Sequence, residues 1–198
     1  MDFLPILVAI IVVVGFVAVL MAFSGSKKGS NQGKKKSRQN IIKDATRKLS
    51  QNPHNPDGLI PLASLYYQEG LWEKAYSLYD TMLNIAVAHP QIDLGHAALR
   101  QGICALKIGK TEDAFRGLLQ ARKINPDNFE TNFYLGQACI NNKEYDKAIP
   151  LLRKALMVNK EVPEIYKYLG LALYHNHNFK ESLPYLKRAL DVSPDDKE

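Results

Sequence analysis

Small residues recur in this chain every 34 positions, and that period limits the fold more than any other feature. Gly102, Gly136 and Gly170 keep the spacing twice over, as do Ala114, Ala148 and Ser182, and Ala121, Ala155 and Ala189. Leu135-Gly136 and Leu169-Gly170 repeat as pairs, and Pro126 and Pro194 hold one further position, with Lys160 between them. A fixed period of this size marks a supersecondary unit repeated along the chain, each copy burying its apolar face on the next.

An earlier copy is visible in Leu62-Ala63, Tyr66, Gly70, Ala75 and Tyr79, with Ala63 in place of the glycine. From Ala63 to Gly102 is 39 residues, so five extra residues separate the first copy from the second. The insertion is expected to lengthen the second helix of the first copy through Asn84–His89, up to Pro90. The four copies then span 56–94, 95–128, 129–162 and 163–196.

This pattern resembles the tetratricopeptide repeat (TPR). The resemblance implies an all-α, right-handed TPR superhelix of four helix-turn-helix repeats, each an A helix followed by an antiparallel B helix. Glycine at the eighth position and alanine at the twentieth would let the two helices approach closely, with Leu62, Leu135, Leu152, Leu169 and Leu186 filling the space between them. Gly70 and Gly109 fall between the helices of the first two repeats, and Pro150 and Pro184 near the starts of B helices. A helix within 39–55 is expected to cap repeat one.

The N-terminal part is different. Residues 3–23 contain no charged residue. As a helix they would run roughly 31 Å, the thickness of a bilayer's hydrocarbon core. No Lys or Arg precedes the run, and Ala22-Phe23-Ser24 is a poor cleavage site, so it reads as a retained single transmembrane helix and not a signal peptide. Residues 24–38 follow as a basic linker, expected to be flexible because Gly, Ser and Lys bury little apolar surface.

Residues 24–48 carry nine basic residues against Asp44 alone, a net +8, while the rest of the chain has 17 basic and 19 acidic residues. The overall +6 therefore belongs to the linker region and not to the repeats, which argues against a nucleic-acid-binding domain. Positive charge beside a membrane helix is retained inside, so the N-terminus is expected outside and the TPR domain on the cytoplasmic side. The same cluster is expected to meet anionic lipid headgroups.

Chemistry-bearing motifs are few. Gly109-Lys110-Thr111 looks like the end of a phosphate-binding loop, but the required upstream glycine is Cys104. His175 and His177 lack carboxylate or thiol neighbours in sequence and read as surface turn residues. Cys104 and Cys139 lie one repeat apart in apolar contexts and read as packed free thiols. No catalytic, cofactor or metal site is expected.

The resemblance places a binding groove along the A helices. Carried over by position, it comprises Tyr67 in repeat one and Arg100, Ile103 and Lys107 in repeat two. Phe133, Tyr134, Gln137 and Asn141 follow in repeat three, and Lys167, Tyr168, Leu171 and Tyr174 in repeat four. Rings in the middle with amides and cations around them suit an amphipathic helix or an extended peptide. Part of this set is expected to be packed between adjacent A helices. The carboxylate clamp of chaperone-binding TPRs is absent, since its places hold Ile60, Ser64, Glu130 and Tyr134.

The reading is a membrane-tethered scaffold that recruits a protein or peptide to the membrane surface. The alternatives are an envelope- or pilus-assembly chaperone with extracytoplasmic TPRs, or an organelle import receptor. Helix B of repeat four keeps Leu183, Leu186, Leu190 and Val192, so its outer face is expected to be covered by a partner, by self-association, or by further repeats.

Overall fold

Residues 36–192 are described by a computed structural model, and all their regular structure is helical. The expected membrane helix at 3–23 and most of the basic linker lie outside these residues. No helix among the described residues is long and apolar enough to cross a membrane.

Helix α1 covers 36–51. Four helix pairs follow: α2 (Pro56–Gln68) with α3 (Trp72–Ile85), α4 (Leu94–Lys107) with α5 (Thr111–Ile124), α6 (Phe129–Asn141) with α7 (Tyr145–Val158), and α8 (Pro163–His175) with α9 (Phe179–Val192). Helices touch within each pair, each B helix packs on the next A helix, and α4 meets α6 as α6 meets α8. That adjacency lines up the A helices on one side.

The A helices begin where polar side chains satisfy free backbone donors. Asn55 accepts from the Asp57 amide at 2.9 Å, Asp93 from His96 at 2.9 Å, and Asn128 from Thr131 at 2.8 Å. In the fourth repeat Pro163 opens the helix instead, preset for the first turn.

All four A helices end in the same way. Residues 70, 109, 143 and 177 each have positive φ, between 60° and 75°. The next amide reaches back five residues in every case: Leu71 to Tyr66 O, Lys110 to Ala105 O, Glu144 to Cys139 O and Asn178 to Leu173 O, at 2.8–2.9 Å. This is a Schellman C-cap, which favours glycine. Glycine stands there in the first two repeats, but Lys143 and His177 stand there in the last two. A side chain in this region costs about 1 kcal/mol or more. Lys143→Gly is accordingly expected to raise stability by about 1 kcal/mol in denaturant melts; a loss would show that Lys143 makes a compensating contact.

The helix crossings explain the glycine period. A Cβ built on Gly102 would lie 2.7 Å from Leu118 Cγ, one on Gly136 2.7 Å from Leu152 Cγ, and one on Gly170 2.7 Å from Leu186 Cγ and Cδ2. Each leucine lies 16 residues after its glycine, so the same leucine-into-glycine contact closes three repeats. In repeat one the equivalent places are Ala63 and Tyr79, both buried. The larger Cβ and the ring replace the smaller pair.

Several expectations change. Helix α3 has 14 residues, as α5 and α7 do, so the insertion does not extend helix B. It forms a 3-10 turn, Ala86–Ala88, followed by a loop. Pro90 keeps His89 out of the α region, and His89 sits at φ −129° and ψ 82°. Pro150 and Pro184, expected near the starts of their B helices, each stand sixth in the helix, as Pro61 does in α2. A proline there removes one backbone hydrogen bond, next to the end where donors are already free.

Helix α1 starts by residue 36, inside the expected linker, and ends at 51, within the expected 39–55. Its inner face packs against repeat one: Ala45 is buried, and the Leu49 side chain fills the space over Gly58, where a Cβ would come within 2.9 Å of it. Arg38 donates to both carboxylate oxygens of Glu69. At the other end, Phe179, Leu183 and Leu190 of α9 are about half exposed.

Candidate functional site

A cleft of about 300 Å³ opens between the A helices of repeats two to four. Helix α6 supplies its central wall. Phe129, Phe133 and Gln137 follow at four-residue steps, so they share one face of the helix, with Tyr134 beside them. Lys107 comes from the end of α4, and Glu164 and Tyr168 from α8. Val162, just ahead of Pro163, completes the apolar side.

The rings are organised around Phe133. Its ring meets Tyr134 edge-on at 5.2 Å and Tyr168 edge-on at 5.8 Å, and stacks parallel with Phe129 at 6.0 Å. Such pairs add modest energy beyond area burial and fix ring orientation. Asn132 anchors this wall from behind. It is fully buried, and its Nδ2 donates to the carbonyls of Pro126 and Asn128, both at 2.9 Å. That bond pair fixes the loop that places Phe129 at the start of α6.

Beside the cleft lies a second cluster, from repeats one to three. The Arg100 guanidinium sits 4.4 Å above the Tyr67 ring, and its Nη1 is 3.4 Å from Glu130 Oε1. Tyr67 in turn meets Trp72 and Tyr79 edge-on. Burial pushes the Tyr67 and Tyr134 phenols up, so both are neutral donors at physiological pH.

Arg100 Nε also donates to His96 Nε2 at 3.3 Å. Burial, then the Arg100 charge, holds the His96 pKa below its ordinary 6.5. The neutral form is therefore favoured on folding. Its contribution to stability is present above the unfolded value and is lost as pH falls below it, levelling off below the folded value. A pH titration by NMR is expected to place His96 below a reference histidine, and Arg100→Gln is expected to move it upward. An unshifted His96 would contradict the arrangement.

The structure sorts the groove residues expected from sequence. Phe133, Tyr134, Gln137, Tyr168 and Lys107 line the cleft together. Tyr67 and Arg100 form the neighbouring cluster. Ile103 is a correction: it is only 1% exposed and belongs to the hydrophobic core. Phe133 is corrected in part, because it is 7% exposed and acts as the cleft's floor and not as a free anchor. Both rings and branched chains at this A-helix register meet the adjacent A helix. Lys167 and Leu171 are half-buried, and Asn141 and Tyr174 exposed, all outside the cleft lining. Phe129 and Val162 were missed because they sit at the first position of a repeat or just before it, outside the register that marks a groove.

Tyr174 joins another aromatic group at the turn of repeat four. It meets Phe179 at 5.3 Å and His175 at 5.5 Å, and His175 stacks on Tyr145 at 4.8 Å. The histidines there are exposed, and no group of three metal-ligating side chains occurs among the described residues. Gly109-Lys110 lies in the turn between α4 and α5, with no strand before it. Burial pushes the Cys104 thiol up to about 12 and the Cys139 thiol up to about 11, which leaves both protonated and unreactive.

TPR family models match residues 59–91, 92–163 and 163–196 in turn. The chain is a tetratricopeptide-repeat protein. Among curated proteins, none matches its sequence significantly. Among solved structures, the TPR chain resembles MamA, with 22% identity and TM-score 0.68 over 82% of this chain and 87% of that one. A MamA chain from Desulfovibrio magneticus RS-1 aligns at 18% identity and TM-score 0.63, covering 82% and 97%. YrrB, described as a TPR protein with an unusual peptide-binding site, aligns at 15% identity and TM-score 0.70, covering 83% and 82%. At these identities the likeness carries the fold alone. The TPR fold is a protein-interaction scaffold, and the cleft lies on the A-helix side of that scaffold.

Proposed function

We propose that this TPR protein is a membrane-tethered adaptor that holds a protein partner's peptide in the cleft between α4, α6 and α8. The observation that carries the reading is the cleft itself. Its floor is a desolvated ring cluster, and its rim offers Lys107, Gln137, Glu164 and the Tyr134 and Tyr168 side chains. Apolar rings supply area for an anchor residue, and rim groups bond a peptide backbone or charged ends.

The tethering half rests on sequence. The uncharged run 3–23 is long enough to span a bilayer, and the +8 segment after it favours retention on the cytoplasmic side. The basic linker would add contacts to anionic headgroups. The α9 face is a second, weaker candidate for contact with another protein or copy.

Two arms test the reading. A reporter active only outside the cytoplasm, fused to the C-terminus, is expected to stay silent; activity would overturn the orientation. The full chain in detergent micelles, panned against a random-peptide library, is expected to select peptides carrying a large apolar or aromatic residue. Their binding should fall on Gln137→Arg. Peptides displaced instead by Leu183→Arg would move the site to α9.

A further inference from the structure

We propose that the outer face of α1 is a docking surface for anionic lipid headgroups, which fixes how the solenoid stands on the membrane. This rests on the reading of 3–23 as a membrane anchor, and adds a site and a consequence that the anchor alone does not supply.

The face is a built stripe. Lys36, Asn40, Lys43 and Arg47 recur at steps of four, three and four residues, which keeps them on one side of a helix, and all four are exposed. Ala45 and Leu49 lie on the opposite side, against repeat one. The cations of α1 are not equally free. Arg38 is engaged by Glu69, and Asp44 bonds Arg47 at 2.7 Å and Lys48 at 2.9 Å. Lys36 and Lys43 have no acidic partner among the described residues. The stripe therefore keeps a net positive charge and faces outward.

Charge and tether length choose the occupant. Outside 24–48 the chain is net negative, so the excess positive charge is confined to this end of the molecule. Between Phe23 and α1 lie the 12 residues 24–35, whose extended length cannot exceed about 45 Å. A chain so tethered keeps α1 near the bilayer surface at high effective concentration, so that a few cations suffice for engagement with anionic lipid.

The contact would be orienting because α1 is not loose. The Arg38–Glu69 bridge and the Leu49–Gly58 packing fasten it to repeat one. Docking α1 would lay repeat one toward the bilayer and hold repeats two to four, with the cleft, farther along the chain from the surface.

The test uses the full chain in vesicles of phosphatidylcholine, alone or with about 30% phosphatidylserine. Asn40→Cys provides a labelling site, since both native thiols are buried. A fluorophore there is read against nitroxide-labelled headgroups. Quenching is expected to be about threefold stronger with phosphatidylserine, and to return to the neutral-lipid level at high salt or in Lys36→Glu/Lys43→Glu. Equal quenching in both lipids, or quenching that survives the double variant, would overturn the proposal. Resistance to alkaline carbonate extraction separates the two readings. A chain extracted from neutral vesicles fails as an anchored protein, whereas a retained chain without phosphatidylserine-dependent quenching fails only the docking claim.

Discussion

Leu152→Ala is expected to destabilise the solenoid by about 2–5 kcal/mol, the range for emptying a fully buried leucine site. Leu152 is 0% exposed and sits in the core cluster shared by repeats two to four. Its side chain lies over Gly136, so close that an added Cβ would come within 2.7 Å of Cγ and 2.8 Å of Cδ2. Gly136→Ala alone is therefore expected to cost about 1–3 kcal/mol through overpacking. The double variant should lose less than the two singles together, because the new methyl enters the space that the leucine vacates. Coupling of this kind reaches about 0.5–3 kcal/mol between contacting residues. Denaturant melts of the full chain in detergent measure it, with exposed Met157→Ala as a control expected to change little. Simple additivity would mean that the leucine-into-glycine contact does not close the repeat.

Tyr168→Ala is expected to weaken peptides bound in the cleft by at least tenfold, about 1.4 kcal/mol or more, as ring truncation does at the centre of an interface. Its half-buried ring stands edge-on to Phe133 and is the part of α8 that closes the apolar side. Tyr168→Phe should retain most of the affinity if the ring carries the contact, and lose it if the hydroxyl does. Tyr174→Ala, exposed and outside the cleft, is the matched control and should leave affinity unchanged. Phe133→Ala is less informative, because a ring only 7% exposed also carries packing, and its loss would mix unfolding with binding. Titration of a library-selected peptide against each variant gives the affinities. Equal losses for Tyr168→Ala and Tyr174→Ala would remove the cleft from the account.

The repeat period was legible because it records a steric requirement that only small residues meet. Gly102, Gly136 and Gly170 had to be small for the leucines to reach them, so their spacing is the spacing of helix crossings. Turn positions were half legible. Gly70 and Gly109 announce themselves, whereas Lys143 and His177 adopt the same backbone against their preference and carry no sequence mark. The surrounding hydrogen bonds impose that conformation, and a residue type cannot disclose it.

The groove was legible as a register and not as a surface. Position in the repeat says which side of an A helix a residue occupies, which is why Tyr134, Gln137 and Tyr168 meet in space. It does not say how near the next A helix lies. That distance buries Ile103 and most of Phe133 while leaving Lys107 exposed. Phe129 opens α6 and Val162 immediately precedes α8, so both reach the cleft where the chain enters those helices. Loop paths depend on side-chain bonds such as those of the buried Asn132 amide to the Pro126 and Asn128 carbonyls, which the groove register does not mark.

The claim that this TPR protein holds a partner through its A-helix cleft is tested most directly by site-specific photo-crosslinking in the cell that makes it. A photoreactive residue at Gln137 or Tyr168 is expected to capture the same protein partner from both positions. The same residue at exposed Met157, on the B helix of repeat three, should capture none of it. Capture of that partner from Met157 but not from Gln137 or Tyr168 would contradict the account.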